Sequence, residues 1–494
     1  MKQFEEKAVG KGTKVRKMAG CLVFCIIVSC LLGHYISVMR NKSEISNSCT
    51  IKDFEPDTID VLFLGSSQMI YAAQPMQLWD EYGIASYNMA TSATAIPGNY
   101  WSAKIAFERQ KPRVVVLDCT FAYMTVKVFD EISRTHVVLD NFWPSKAAYE
   151  AVNDLIDDPE DRLGFYFSPY LYHTRWKELS QIDYEPDTTF FDAGASLCAV
   201  MTDFSGAIAG WDENAVAEVP EVVMEYIEKL KALCEEHDAA LVLSFIPSPM
   251  FVPYQAYYNF LVKWAEGQNV GVINGFSDEA HWNIDYATDW QDSAHMNIHG
   301  SEKATRVFGE YLTANFDLKR DSSHDTTSYY DTIRDKYEEF EKSVIEFPIL
   351  KFGESILFDV LEGNSVSYYG CSAGGSLREG SATGYYWTTG KRSDYYFRLE
   401  DIVDAKLTVN VNRVWGFEDK KYREVDVYLN EEYLQTIKVP VSTEPESFEI
   451  EVPAEYWREI EKPQKLTFQY NDFTNYSDTQ KYTFDMKEIL LEKN

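Results

Sequence analysis

The chain has 494 residues, too many for one ordinary core and enough for two or three domains, and 45% hydrophobic content with only 17 prolines marks most of it as folded. A formal net charge of −32 argues against nucleic acid as a partner, because binding a phosphate backbone needs a basic surface, and it suits a soluble face exposed outside a cell. The 8 cysteines do not make a disulfide framework: Cys21, Cys25 and Cys30 fall in one apolar run, while Cys49, Cys119, Cys198, Cys234 and Cys371 are too scattered for more than one bridge.

Residues 1–17 are basic and carry Lys2, Lys7, Lys11, Lys14, Arg16 and Lys17. Residues 18–39, MAGCLVFCIIVSCLLGHYISVM, then run 22 positions without a formal charge, long enough as a helix to cross a hydrocarbon core. The basic flank puts the N-terminus in the cytoplasm and everything after Met39 outside. No small-x-small cleavage site follows the run, and it continues nine residues past the lipoprotein-like Ile27–Cys30 stretch, so we read a single-pass anchor rather than a removed signal. Residues 40–57 read as a short polar stalk.

From residue 58, apolar extended runs at 60–65, 85–90, 113–119, 239–247 and 270–275 alternate with helical patterns at 221–237, 253–267 and about 301–316. Strand, helix, strand repeated in this way predicts an α/β domain over 58–316, a doubly wound, flavodoxin-like parallel sheet with helices on both faces. Aromatic-rich residues 120–217 interrupt the rhythm and read as a largely helical insertion, either a lid or groove wall or an elaboration away from any substrate. Residues 317–345 read as a polar linker and a charged helix. From 346 to 494 short alternating runs replace helical patterns and predict a separate antiparallel β-sandwich.

The apolar run 61–64, VLFL, ends on Gly65-Ser66-Ser67. If the run is a buried parallel strand, its carboxyl end is where open α/β sheets place ligands; the plainer reading is an ordinary turn. A serine hydroxyl becomes a nucleophile only beside a base that is itself oriented. His34 lies in the apolar run, His324 in the linker, and His136, His173 and His237 have no pattern around them. The remaining histidines fall in 281–300, HWNIDYATDWQDSAHMNIHG, where Asp292 precedes His295 by three positions, close enough to reach imidazole Nδ1 while Nε2 faces the serine. A metal site drawn from His281, Asp285, Asp289, Asp292, His295 and His299 is the competing reading. No spacing there repeats a known ligand pattern, so we expect no metal and no cofactor.

A strand ending in Gly-Ser-Ser, followed by Asp-x-x-His before the last helix of the domain, resembles the SGNH (GDSL-like) hydrolase superfamily over about 58–316. The resemblance implies Ser67 as nucleophile, His295 as base, Asp292 as its orienting partner, and an oxyanion hole from the Ser67 and Ala90 N–H groups beside Asn88. Two blocks depart from the family pattern. In YNMATS the usual Asn-x-Gly becomes Asn88-x-Ala90, and VVVLDCTFAY has no asparagine, only Asp118 or Thr120 near that position. A lost oxyanion donor typically costs on the order of 3 kcal/mol of transition-state stabilisation, so a slower or more specialised reaction is expected.

With its apolar anchor and FLGSSQ turn, the chain looks like the SGNH proteins that partner membrane-bound O-acyltransferases. That implies transfer of an O-acyl group, O-acetyl above others, on a cell-envelope glycan through an acyl-serine. A carbohydrate esterase that only hydrolyses, and a non-catalytic binding or assembly partner, are the alternatives. The stretches 385–390, 425–440 and the C-terminal FDMKEILLE look similar to jelly-roll modules on bacterial surface-glycan enzymes. Tyr386 and Trp387, with Tyr369, are then sugar-stacking candidates, although large aromatics also serve as ordinary core.

Overall fold

The structure is a computed structural model. It describes residues 2–39, 47–128, 132–177 except 144, 192–201, 214–318 except 287, 327–359, and 392–493 except 417–420, 461, 472–473 and 476–480, with short pieces at 179, 184, 204, 212, 363–364, 376–379 and 386–389.

Helix α1 (Lys2–Met39) is continuous, and its Lys17–Met39 part, 23 residues with mean hydropathy 2.3, is long and apolar enough to cross a membrane. The chain then builds a parallel sheet from β1 (Val61–Leu64), β2 (Ser86–Asn88), β3 (Val114–Asp118), β4 (Ala240–Phe245) and β5 (Gly271–Asn274), in the order β2-β1-β3-β4-β5. β1 and β3 are buried end to end, as parallel strands covered on both faces must be. Their side chains alternate between two cores: Leu62, Leu64, Val115 and Leu117 face one way, and Val61, Phe63, Val114 and Val116 the other.

The link from β1 to β2 runs through α2 (Ser67–Ala72) and α3 (Pro75–Tyr82), whose Met69 and Leu78 pack on the second face. The link from β2 to β3 runs through α4 (Ile96–Phe107) on the first face. The chain leaves β1 toward β2 on one side and β3 toward β4 on the other, and open α/β sheets place ligands at the carboxyl ends of strands where the order reverses in this way. The insertion is helical over much of 132–172, in α5 (Ile132–Leu139), α6 (Lys146–Leu155), α7 (Pro159–Tyr166) and α8 (Ser168–Tyr172), while its residues 192–201 have no regular structure. The Ala147, Ala148, Ala151 and Val152 face of α6 closes over the first core. Helices α9 (Glu221–Glu236) and α10 (Gln255–Glu266) cover that same face, while the short α11 (Glu279–Trp282) and α12 (Ile298–Asn315) cover the other.

Two segments outside the expected 58–316 bounds pack against the α/β domain. The second half of the expected stalk is part of the domain: Ile51 and Phe54 are buried, and Arg109 donates to the Phe54 carbonyl at 3.0 Å. The charged helix of the expected linker, α13 (Thr327–Glu346), is also docked. Its Tyr330 stacks on Trp79 at 4.5 Å and donates to the Ser86 carbonyl at 2.6 Å, with Ile333 and Tyr337 buried beside it.

The C-terminal region is β-rich. One sheet is centred on Ala405–Val414 and Lys481–Lys493, and the other on Tyr422–Leu429 and Gln464–Tyr470. Ala405, Leu407, Val409 and Val411 point inward at every second position, with Val427, Phe468 and Ile489 in the same core. This core does not stand apart from the α/β domain. Val200, Phe347 and Tyr396 are buried together, and the Tyr396 hydroxyl donates to the Met201 carbonyl at 3.4 Å. Cys119, Cys198 and Cys234 are free thiols.

Candidate active site

The Gly-Ser-Ser turn is fixed by space. A Cβ on Gly65 would lie 2.8 Å from the Cβ atoms of both Asp118 and Met69, so only glycine lets β1 pass β3 and turn at once into α2. The two serines then part. Ser66 is buried, with its hydroxyl on Gln68 and 3.5 Å from Asp118 Oδ2. Ser67, the first residue of α2, stays half-exposed, and an N–H at that position has no acceptor within its own helix.

His295 reaches Ser67 from the loop before α12, with Nε2 2.6 Å from Ser67 Oγ. Its Nδ1 lies 2.8 Å from Asp292 Oδ2 and 3.0 Å from Oδ1, and Asp292 Oδ1 also accepts the N–H groups of Ala294 at 2.8 Å and His295 at 2.9 Å. An ionised carboxylate only accepts, so Nδ1 carries the proton and Nε2 accepts from the serine hydroxyl; the tautomer follows from this network. Burial pushes the Asp292 carboxyl up, but the bond and charge of His295 and the two backbone donors outweigh it and hold the group below the usual carboxylate value. The structure thus brings together Ser67, His295 and Asp292 at the carboxyl edge of β1.

The loop is braced from several sides. Asn297 caps α12 by accepting the His299 and Gly300 N–H groups, and its own amide donates to the carbonyls of Val200 and Thr288. Asp289, in the competing metal reading, is buried against Lys303 Nζ at 2.6 Å, and His281 pairs with Glu310 at 3.1 Å. Among the described residues no three His, Cys, Asp or Glu side chains converge as metal ligands.

The oxyanion donors come out differently from expectation. Asn88 is fully buried, and its amide donates to the carbonyls of Met69 at 2.7 Å and Ala73 at 2.9 Å, so it braces α2 and offers nothing to a substrate. The Ala90 N–H is directed at Asn88 Oδ1 at 3.2 Å. Asp118 accepts the Thr120 hydroxyl at 2.6 Å and the Thr120 N–H at 3.2 Å. Burial pushes its carboxyl up to about 7, against the pull of the bonds from Thr120 and Ser66.

Two features of the site were not anticipated. Tyr71, one helical turn after Ser67, sets its ring edge-on to His295 at 5.3 Å between centroids, and burial, with the nearby Cys198 and Asp292 groups, pushes its hydroxyl well up. The i, i+4 spacing from Ser67 was the available signal. The second is a strap, residues 192–201. Its Ser196 N–H donates to the Ile70 carbonyl at 3.1 Å, and its Cys198 carbonyl accepts the Ile298 N–H at 2.7 Å. It therefore ties the serine helix to the histidine loop, and its contacts are too distant in sequence to leave a pattern. Tyr386 and Trp387 lie in a strand paired with Lys481–Lys493, but their side chains, and all of Tyr369, fall outside the described residues.

No family model and no curated protein matches the chain. Among solved structures it is similar to a two-domain esterase (CEX) active on acetylated mannans, at 10% identity over 88% of this chain and 91% of that one, with a TM-score of 0.23. It is also similar to a putative lipolytic protein of the G-D-S-L family from Desulfitobacterium hafniense DCB-2, at 10% identity over 51% and 98%, TM-score 0.26. The CBM35 from Cellvibrio japonicus Abf62 aligns at 11% identity over 28% and 99%, TM-score 0.19. Scores this low leave the functional reading to the side chains.

Proposed function

We propose that the chain is a membrane-anchored, extracytoplasmic SGNH-type serine enzyme that moves O-acyl groups, O-acetyl above others, on a cell-envelope glycan. One observation carries the reading: Ser67 Oγ, His295 and Asp292 stand in hydrogen-bonded line at 2.6 and 2.8 Å. In the first half-reaction Ser67 Oγ attacks the ester carbonyl while His295 Nε2 takes its proton, and the imidazolium is held by ionised Asp292. The tetrahedral intermediate collapses, its C–O bond breaks, and Nε2 returns the proton to the leaving alkoxide, leaving acyl-Ser67. An acceptor hydroxyl then gives its proton to Nε2 and attacks the acyl carbon, the bond to Ser67 Oγ breaks, and Nε2 returns the proton to Oγ. A sugar acceptor makes the protein a transferase supplied by a membrane-bound O-acyltransferase; water makes it a carbohydrate esterase. Side-chain exposures of 23% for His295 and 28% for Asp292 leave the line open to solvent and support the esterase as a second reading.

The strand order, with helices on both faces, supports a doubly wound SGNH fold, and α1 supports a single-pass anchor with both domains outside. We assign no metal or cofactor to the reaction, and the β-rich region is proposed to hold the glycan. The test is a serine-directed fluorophosphonate on the full chain in detergent, with the labelled peptide read by mass spectrometry. Label on Ser67, absent in Ser67→Ala and weakened in His295→Ala, is expected. A folded protein that takes no label overturns the enzymatic reading in favour of a non-catalytic assembly partner.

A further inference from the structure

The insertion carries an apolar surface that the proposed chemistry does not use. Within residues 163–176, Trp176 is 65% exposed, Tyr170 49%, Phe167 48%, and Leu163 and Leu171 each 41%. Single exposed apolar side chains are ordinary, but five of this size in one short segment mark a contact surface.

Its neighbour in the fold identifies the partner. The last turn of α1 packs on α8, with Val38 and Met39 buried, while Leu22, Phe24, Leu31 and the rest of the apolar helix stay exposed. Arg175 Nη1 donates to the Met39 carbonyl at 2.8 Å, satisfying one of the acceptors that a helix end leaves unpaired. Lys177 Nζ lies 5.6 Å from the centroid of the Trp176 ring. The surface therefore begins where the apolar helix ends, joined to it by packing and a hydrogen bond. Tryptophan, tyrosine, arginine and lysine are the side chains that settle at the boundary between hydrocarbon and headgroups, the rings in the boundary and the cations toward lipid phosphate.

We propose that α7, α8 and the turn Arg175–Lys177 lie on the outer leaflet of the membrane that α1 crosses, with Phe167, Leu171 and Trp176 in the lipid boundary. This rests on the anchor reading above and goes beyond it: the protein touches the bilayer at a second surface and is held in one orientation over it.

The test uses the full chain in nanodiscs that contain a diazirine phospholipid, with lipid adducts mapped by mass spectrometry after illumination. Adducts on both 18–39 and 163–177 are expected. A Phe167→Ser, Leu171→Ser, Trp176→Ser variant, all at exposed positions, should lose the second set at least fivefold and keep the first. Adducts on 18–39 alone overturn the surface contact and leave the anchor standing; adducts on neither overturn both. In native membranes, a crosslink from 163–177 to another protein without a lipid adduct also overturns it.

Discussion

Asp118 is fully buried and Asp292 only partly so, and their surroundings drive the two carboxyls in opposite directions. Asp292 gains donors from His295 and two backbone N–H groups and stays charged. Asp292→Asn would leave the shape of the loop but lose the charge and the proper tautomer of His295, so kcat for an activated acetyl ester should fall by about 10³ to 10⁴ with KM little changed, measured by steady-state kinetics. Asp118 sits at about 7 in the fold against an ordinary 3.8, and Asp192, equally buried, shows the same rise. A carboxyl raised in this way favours the fold fully below its unfolded value, and that stability is lost as pH climbs from about 4 toward 7, at up to ~1.4 kcal/mol per pH unit for each group. Urea unfolding of Asp118→Asn should therefore show a shallower fall in stability between pH 4 and 7 than the parent chain. At this scale the grouping of Ser67, His295 and Asp292 was legible because a strand end and an Asp-x-x-His spacing are local patterns. Asn88 was misread because the carbonyls it holds, those of Met69 and Ala73, lie 19 and 15 residues away in sequence.

The strap shows what an element without regular structure can do. Asn88 N–H donates to the Ala193 carbonyl at 3.0 Å, and Gly194, at φ +93°, presses so near that a Cβ there would fall 1.9 Å from the Asn88 carbonyl oxygen. Gly194→Ala combines a backbone conformation that alanine resists with a clash against main chain that has nowhere to move. It should shift the strap off β2, loosen the Ser67–His295 distance, and lower kcat at least tenfold while the far-ultraviolet circular dichroism keeps its parent shape; an unchanged kcat would show that the strap does not position the site. The parallel strands were readable because 61–64 and 114–117 are continuous apolar runs. The strap has no period, and its partners come from α2, β2 and α12. Helix α13 did carry a signal, Tyr330, Ile333 and Tyr337 on one face, but its abundant charge concealed the stripe.

Two cores meet across Val200, Phe347 and Tyr396, and the same strap that receives Tyr396 is hydrogen-bonded to the end of the histidine loop. The sequence announced two domains through their different periods and was silent about their joint, since a contact between three distant residues has no periodicity. Tyr396→Ala should leave turnover of a small activated ester within twofold and lower kcat/KM on an acetylated polysaccharide several-fold, because only the long substrate needs both domains at a fixed spacing; equal losses on both substrates would place the joint's role in the chemistry itself. The state of the free Cys119, Cys198 and Cys234 sulfurs is likewise a property of the whole packing. Burial pushes Cys198 up to about 11, Cys234 up to about 12 and Cys119 well above its ordinary value. Oxidants and disulfides react with the thiolate, the form that burial disfavours at all three sulfurs. In a protein proposed to work outside the cytoplasm, burial thus shields Cys119, Cys198 and Cys234 from oxidation by proton affinity rather than by pairing them.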